Sequence, residues 1–339
     1  MKIELPGSGE DMRRVERYLW GFFPPSGQDD PVDEVLHAVL DAPGKRLRPQ
    51  LLLLVSRLGA DHAAKRERLC KLAAIVECIH TASLIHDDIV DDSPLRRGRP
   101  TIQSRFGKDM AVYTGDLVLS RVMTELFADG LSQSGLVLGQ TMQTMCRGEL
   151  WQYAGRYRVD VTPDRYRKAI YGKTVALLAA ACRVGGLESG CTAPVLEAVE
   201  DYGTHLGYLF QIRDDLLDFL SEQDREGKPV HVDFQEGILT LPVIYALAHP
   251  DHRQAIERLV GIAAERPLTA EEQALLVQAV RLSGGLEKAI YELDQHYACA
   301  CAALKALPDG KIAAVLRKIV KMLRDSLPNK RPTAKMVAG

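Results

Sequence analysis

Apolar residues recur at helical spacing along most of the chain. Val15, Leu19 and Phe22 do so near the start. Leu69, Leu72, Ala73, Val76 and Ile79 lead into an acidic segment, and Leu206, Leu209, Phe210, Leu216 and Leu217 repeat the pattern later. Period-2 strands bounded by Asn-Gly or Asp-Gly turns are absent. Breakers such as Pro24-Pro25, Pro43-Gly44, Pro94, Pro100, Gly185-Gly186, Gly227 with Pro229 and Gly284-Gly285 fall between helical stretches. At roughly 150 residues per domain, 339 residues would make about two domains. No Ser/Pro-rich or single-charge tract divides them, and no fixed-period repeat occurs. The pattern predicts one all-α domain over 1–339, with an N-terminal helical extension over about 1–30 and a basic tail over about 328–339.

Composition narrows the class. With 46% hydrophobic and 26% charged residues the chain is an ordinary globular protein, which excludes disorder. The 43 basic and 45 acidic residues give a net charge of −2, so no nucleic acid is held by bulk charge. Seven cysteines without a C-x-x-C pair fit neither a disulfide scaffold nor a familiar zinc site. Most are expected to be buried free thiols in a reducing, cytoplasmic setting. The longest apolar runs, Leu51–Val55 and Val175–Cys182, are far below the ~18 residues of a membrane span. Glu4, Glu10 and Asp11 argue against a signal peptide. A soluble protein without a transmembrane segment is expected.

The chemistry concentrates in two acidic motifs. In Ile85-His86-Asp87-Asp88-Ile89-Val90-Asp91-Asp92, Asp87 and Asp91 are four residues apart, hence on one helix face. Pro94 disfavours helix at Ser93, so the cluster sits at a negative helix C-terminus. A cation such as Mg²⁺, held by one or two carboxylates plus substrate phosphates, relieves that repulsion. Alone, the segment could equally be a solvated acidic helix end. The device returns 127 residues later in Phe210-Gln211-Ile212-Arg213-Asp214-Asp215-Leu216-Leu217-Asp218, with Asp214 and Asp218 four apart and Gln211 expected on their face. Two such helices could face each other across a cavity and hold several divalent ions around one polyanion.

Cations accompany the acids. Gly44-Lys45-Arg46-Leu47-Arg48-Pro49, Arg96-Arg97-Gly98-Arg99, Gly172-Lys173-Thr174 and Lys228 are phosphate-binding types, though each alone would read as a surface patch. Gly172-Lys173-Thr174 should open a helical stretch. It does not end a P-loop, because Arg167 stands where that motif needs glycine. His80 lies seven residues before Asp87, on its face, and is read as a phosphate contact; His86 is read as a supporting or packing residue.

This ordered set resembles the trans-type polyprenyl diphosphate synthase family from about Pro43 to about Leu327, through GKRLRP, HTASLIHDDIVDDSPLRRGRPT, GKT, FQIRDDLLD, GKP and TLP. The resemblance implies a single bundle of antiparallel helices around a deep central cavity, usually a homodimer. Lys45, Arg48, His80 and Arg97 would bind the diphosphate of isopentenyl diphosphate. Arg96, Lys173, Thr174, Gln211 and Lys228 would contact an allylic diphosphate. Asp87, Asp91, Asp214 and Asp218 would hold Mg²⁺, with several ions per site. Asp87, Asp88, Asp91, Lys173, Gln211 and Asp214 form the expected catalytic set. One departure stands out: Ile238 occupies the place of a lysine that often contacts the allylic diphosphate in the family.

The implied reaction is ionisation of the allylic diphosphate, attack by the isopentenyl double bond and proton loss, with the released diphosphate as the preferred base. Product length should depend on the wall one turn before Asp87. There Ala82 and Ser83 are small, and Ile79 follows below; the family blocks growth early with an aromatic at the Ala82 position. A product longer than twenty carbons is expected, with a floor near Val122, Met123, Leu126 or Phe127, and transient membrane contact could accompany its release. A geranylgeranyl-length synthase and the catalytic subunit of a heteromer stay open. A terpene cyclase is disfavoured by the second motif and by GKRLRP, and a non-catalytic regulatory subunit by the two intact acidic motifs.

Overall fold

The computed structural model describes residues 9–27, 30–41, 44–220, 232–308 and 310–328. Regular structure among them is almost wholly helical. The chain packs as two units. One comprises Met1–Gln143, Leu177–Gly203 and Ala306–Val315; the other comprises Thr144–Ala176, Thr204–Lys305 and Leu316–Gly339.

The first unit is organised by one long helix. Helices α1 (Gly9–Gly21), α2 (Pro31–Leu40), α3 (Leu47–Ser56), α4 (Arg66–Val90), α5 (Ile102–Phe106) and α6 (Lys108–Ala128) belong to it. No Gly or Pro interrupts the 25 residues of α4, and its Leu69, Leu72, Ile75 and Ile79 are fully buried. It packs against α1, α3 and α6. The α1 carboxylate of Asp11 is itself buried, paired with Arg57 at 3.3 Å and Arg66 at 2.6 Å. Those pairs tie the N-terminal segment into the unit. Asp30 caps α2 from a position just before Pro31, and Thr101 caps α5, the arrangements that satisfy orphan amides at helix starts.

Helix α7 (Ser132–Ala154) begins in the first unit and ends in the second. The second unit holds α8 (Pro163–Ile170), then α11 (Val232–Gln235), α12 (Leu241–Leu247), α13 (Pro250–Glu265), α14 (Ala270–Leu282) and α15 (Gly285–Ala303). Helices α9 (Ala176–Glu188), α10 (Ala193–Leu220) and α16 (Lys311–Asp325) supply residues to both units. Around α12, packed against α13, α14 and α15, the second core buries Leu241, Val243, Leu276, Val280 and Leu293. Some helices approach backbone to backbone. A Cβ on Gly172 would lie 2.6 Å from the Gly148 Cα, and one on Gly207 would lie 2.8 Å from the Val175 Cα.

Several expectations change. Strands are present, as a minimal hairpin of β1 (Leu95–Arg96) and β2 (Arg99–Pro100). Arg97 at φ 54° and Gly98 at φ 76° make both central positions left-handed, the geometry that suits a two-residue hairpin, but without the usual Asn or Asp. Gly172-Lys173-Thr174 does not open a helix. It lies in a π-helical turn, Tyr171–Val175, inserted between α8 and α9. Only Cys70, Cys78 and Cys182 are buried; Cys191 and Cys301 are half-buried, and Cys146 and Cys299 are exposed. All seven are free thiols. Two helical stretches, Arg66–Val90 and Pro163–Glu188, are long and apolar enough by composition to cross a membrane. Their most apolar windows are 67% and 78% buried within the protein, as in core helices. Lys228 and the tail beyond 328 lie outside the described residues.

Candidate active site

In the first unit α4 stops at Val90, one residue short of Asp91, whose N–H caps the Asp87 carbonyl at 2.9 Å. Asp92 turns the chain at φ 47°. Gln103 closes the helix end by donating from Nε2 to the carbonyls of Asp88 (2.6 Å) and Ser93 (3.1 Å). Asp87 and Asp91 are half-buried at this negative helix end. Asp88 is different. It is 6% exposed, and Arg96 Nε of the hairpin donates to it at 2.7 Å. Burial raises its carboxyl above the usual range, and Arg96 opposes that rise. Asp88 and Arg96, expected as catalytic and allylic-diphosphate residues, therefore engage one another here, and their pairing anchors the hairpin.

Four arginines of this unit act on His80. Burial first, and then the guanidinium groups of Arg48, Arg97, Arg96 and Arg46, hold its imidazole well below the ordinary pKa. A Cβ placed on Gly44 would sit 3.3 Å from Arg46 Nη1, 3.5 Å from Arg97 Nη1 and 3.6 Å from Glu77 Oε1. Arg46 pairs with Glu77 at 3.0 Å and with Glu16 at 3.0 Å. Burial lowers the Arg48 guanidinium to about 10, and its Nε has no hydrogen-bond partner. Arg46 and Arg97 both adopt left-handed backbone, strain of the kind held at functional sites. Arg46 and Arg96 are met by carboxylates, so Arg48, with its orphaned buried Nε, and Arg97 beside the imidazole are the groups whose chemistry suits an anion. Lys45, exposed just before α3, adds a further cation on this segment. The expected set Lys45, Arg48, His80 and Arg97 thus belongs to one neighbourhood, with Arg46 added.

Below Asp87 on α4, Ala82 and Ile79 are fully buried, while half-buried Ser83 donates to the His80 carbonyl at 2.9 Å. On neighbouring α6, Val122 and Leu126 are buried but Met123 and Phe127 are 39% and 77% exposed. The last two point to the surface of this chain. His86 packs as expected: a Cβ on Gly115 would meet its Nε2 at 2.3 Å.

The second unit contains a cavity of about 360 Å³ lined by Lys173, Gln211, Asp215, Tyr166 and Ile238. Lys173 is half-buried in the π turn, 3.8 Å from Glu149. A chain of hydrogen bonds runs along the wall. Thr174 Oγ1 donates to Gln211 Oε1 at 2.6 Å, and Gln211 Nε2 donates to Asp215 Oδ1 at 2.9 Å. Tyr166 Oη donates to Asp215 Oδ2 at 2.6 Å. Gln211 thus pairs with Asp215 rather than facing Asp214. Burial and nearby Asp233 push the Asp215 carboxyl up to about 7, against the pull of the two donors. Asp214 is exposed beside Arg213, and Asp218 is half-buried. Asp215 and Tyr166 were not foreseen; the adjacent aspartates of the motif gave the only hint of the first.

Ile238, the departure from the family's usual lysine, sits on this wall, and a clamp holds the residue before it. Tyr157, left-handed at φ 58°, donates from its N–H to the Gly237 carbonyl at 2.8 Å and from its hydroxyl to the Gln235 carbonyl at 3.0 Å. Its ring covers Gly237, where φ is 77° and a Cβ would collide at 2.6 Å. Arg158, Arg165 and Lys168 also line the cavity, so the missing lysine leaves it cationic.

Among the described residues no three His, Cys, Asp or Glu side chains converge tightly enough to hold an ion by themselves. Pairs of carboxylates fit Mg²⁺, whose remaining positions are normally filled by water and phosphate oxygens.

A family model described as Polyprenyl synthetase matches residues 29–280. The chain is 36% identical to a heptaprenyl diphosphate synthase component 2 of Geobacillus stearothermophilus, over 85% of this chain and 88% of that one. Among solved structures, a decaprenyl diphosphate synthase from Rhodobacter capsulatus superposes with a TM-score of 0.85 at 31% identity, covering 95% and 97% of the two chains. A polyprenyl synthase from Caulobacter crescentus, complexed with calcium and isoprenyl diphosphate, gives 0.83 at 29% identity, covering 95% and 96%.

Proposed function

The chain belongs to the polyprenyl synthetase family, and from that membership and the geometry above we propose that it condenses isopentenyl diphosphate with an allylic diphosphate such as farnesyl diphosphate, making an all-trans product longer than twenty carbons. The observation that supports this most is a gathering of cations in each unit, around His80 in one and along the cavity wall in the other, with each unit's sequence also carrying a pair of aspartates four residues apart.

In this reading Arg48, Arg97 and neutral His80, the last as an N–H donor, grip isopentenyl diphosphate, with Lys45 beside them. Lys173, Thr174 and Gln211 grip the allylic diphosphate, together with Lys228. Asp87 and Asp91, and Asp214 and Asp218, hold several Mg²⁺ ions. When bound, Mg²⁺ supplies Lewis-acid stabilisation of the charge developing on the leaving diphosphate. The allylic carbon–oxygen bond breaks and its electron pair leaves with the diphosphate. The isopentenyl double bond attacks the allylic carbon, and a proton passes to the released diphosphate. Apolar walls protect the cation from water. Free thiols and buried apolar helices support a cytoplasmic enzyme.

A product assay with purified protein, Mg²⁺, labelled isopentenyl diphosphate and farnesyl diphosphate tests the proposal. A ladder reaching beyond twenty carbons is the expected result. A stop at fifteen or twenty carbons refutes the long-chain reading alone. The Geobacillus relative is named as one component of an enzyme, which supports a heteromer as the second reading. No incorporation with any primer by the chain alone would favour it.

One face of α6 bears on the oligomeric state. Tyr113, Leu117, Met123 and Phe127 are exposed along it with Ser120 and Thr124, a stripe of nearly helical period. We propose that a second copy covers this stripe in a homodimer. The double substitution Leu117→Glu with Phe127→Glu is expected to convert a dimer to a monomer in sedimentation velocity. A native chain that sediments as a monomer would overturn the assignment.

A further inference from the structure

Tyr166 lies outside both acidic motifs and all the cationic segments, yet its hydroxyl ends the hydrogen-bond chain on the wall of the second unit's cavity. We infer that Tyr166 is a positioning residue: through Asp215 it sets the orientation of the Gln211 amide, and with it the Thr174 hydroxyl, towards the allylic diphosphate. This rests on the reading that Thr174 and Gln211 grip that diphosphate.

The network is nearly closed to solvent, with Tyr166, Asp215 and Thr174 exposed by 6%, 3% and 7%. A buried carboxylate needs donors on both oxygens. Asp215 takes one from Tyr166 and one from Gln211. The Gln211 amide has two hydrogens. One goes to Asp215, and the division of labour with Tyr166 leaves the other available to a ligand. The Thr174 hydroxyl, donating to Gln211 Oε1, holds the other end of the amide.

Removing the tyrosine hydroxyl leaves Asp215 Oδ2 buried and unpaired. Within the network only Gln211 has a hydrogen to spare. The carboxylate then draws the amide towards itself and takes the donor meant for the diphosphate. Tyr166→Phe keeps the ring and its packing, so the change is confined to one hydroxyl.

The experiment is steady-state kinetics of full-length native, Tyr166→Phe, Gln211→Ala and double-variant protein, with thermal unfolding alongside. Tyr166→Phe is expected to raise KM for farnesyl diphosphate about tenfold while leaving KM for isopentenyl diphosphate unchanged. In the Gln211→Ala background the same substitution should cost less than twofold, because its effect passes through the amide. Equal kinetics of Tyr166→Phe and the native enzyme would overturn the inference. So would undiminished losses in both backgrounds, or equal rises in both KM values, which mark a purely structural hydroxyl. A KM for farnesyl diphosphate that Gln211→Ala leaves unchanged would instead defeat the parent reading.

Discussion

Asp87→Asn is expected to lower kcat by about 10³ while leaving the protein folded and no less stable. Removing one charge-stabilising group from a preorganised site typically costs about 10²–10³ in kcat, and a carboxylate that holds a divalent ion lies at the upper end. Stability should move the other way. Asp87, Asp88, Asp91 and Asp92 crowd the last turn of α4 and the residues after it, where the helix is already negative. Asp88 pairs with Arg96 at the helix end, and Asp92 pairs with Lys108 on the surface. An isosteric amide at 87 relieves repulsion with Asp91, an effect of about 0.3–1 kcal/mol. Rate and melting temperature measured together separate the cases. Loss of activity at equal or higher Tm marks a residue kept for chemistry at the expense of the fold. Activity within tenfold of native would remove Asp87 from the catalytic set.

Ala82→Phe is expected to shorten the product by several isoprene units. The site lies one turn before Asp87, and its side chain is fully buried. A phenyl ring there must occupy either space that the growing chain uses or space that does not exist. In the first case the ladder stops early and the melting temperature hardly changes. In the second case, overpacking costs typically about 1–3 kcal/mol and the surviving enzyme makes the same product. Chromatography of the product together with thermal unfolding tells these apart. Unchanged product length would end the role assigned to Ala82.

Where sequence reasoning succeeded, short-range rules were in charge. The unbroken apolar period of Leu69, Leu72, Val76 and Ile79 matches α4, because no Gly or Pro competes with it. Arg48, Arg97 and His80 are grouped through the resemblance, and the two guanidiniums do act on the His80 imidazole. What escaped depended on partners distant in sequence or on unusual backbone. The motif does not distinguish Asp88 from its neighbours, whereas burial and Arg96, eight residues on, do. The hairpin at 95–100 carries Arg97 where turn statistics favour Asn or Asp. Periodicity senses α-helix and not the extra residue of a π turn, so it places Lys173 at a helix start. Tyr166 and Asp215 are 49 positions apart, and nothing local joins them.

The contact between Gly148 and Gly172 has a mechanical consequence. The residue before Lys173 rests its main chain directly on α7, with no side chain between them to deform. A site built through intervening side chains inherits their rotamer freedom, whereas here the support is as stiff as two helices touching. Catalytic groups lose effect when misplaced by about 1 Å, so such stiffness is a form of alignment tolerance. The bare surfaces of two glycines serve as the bearing on which the lysine and threonine of the π turn are seated.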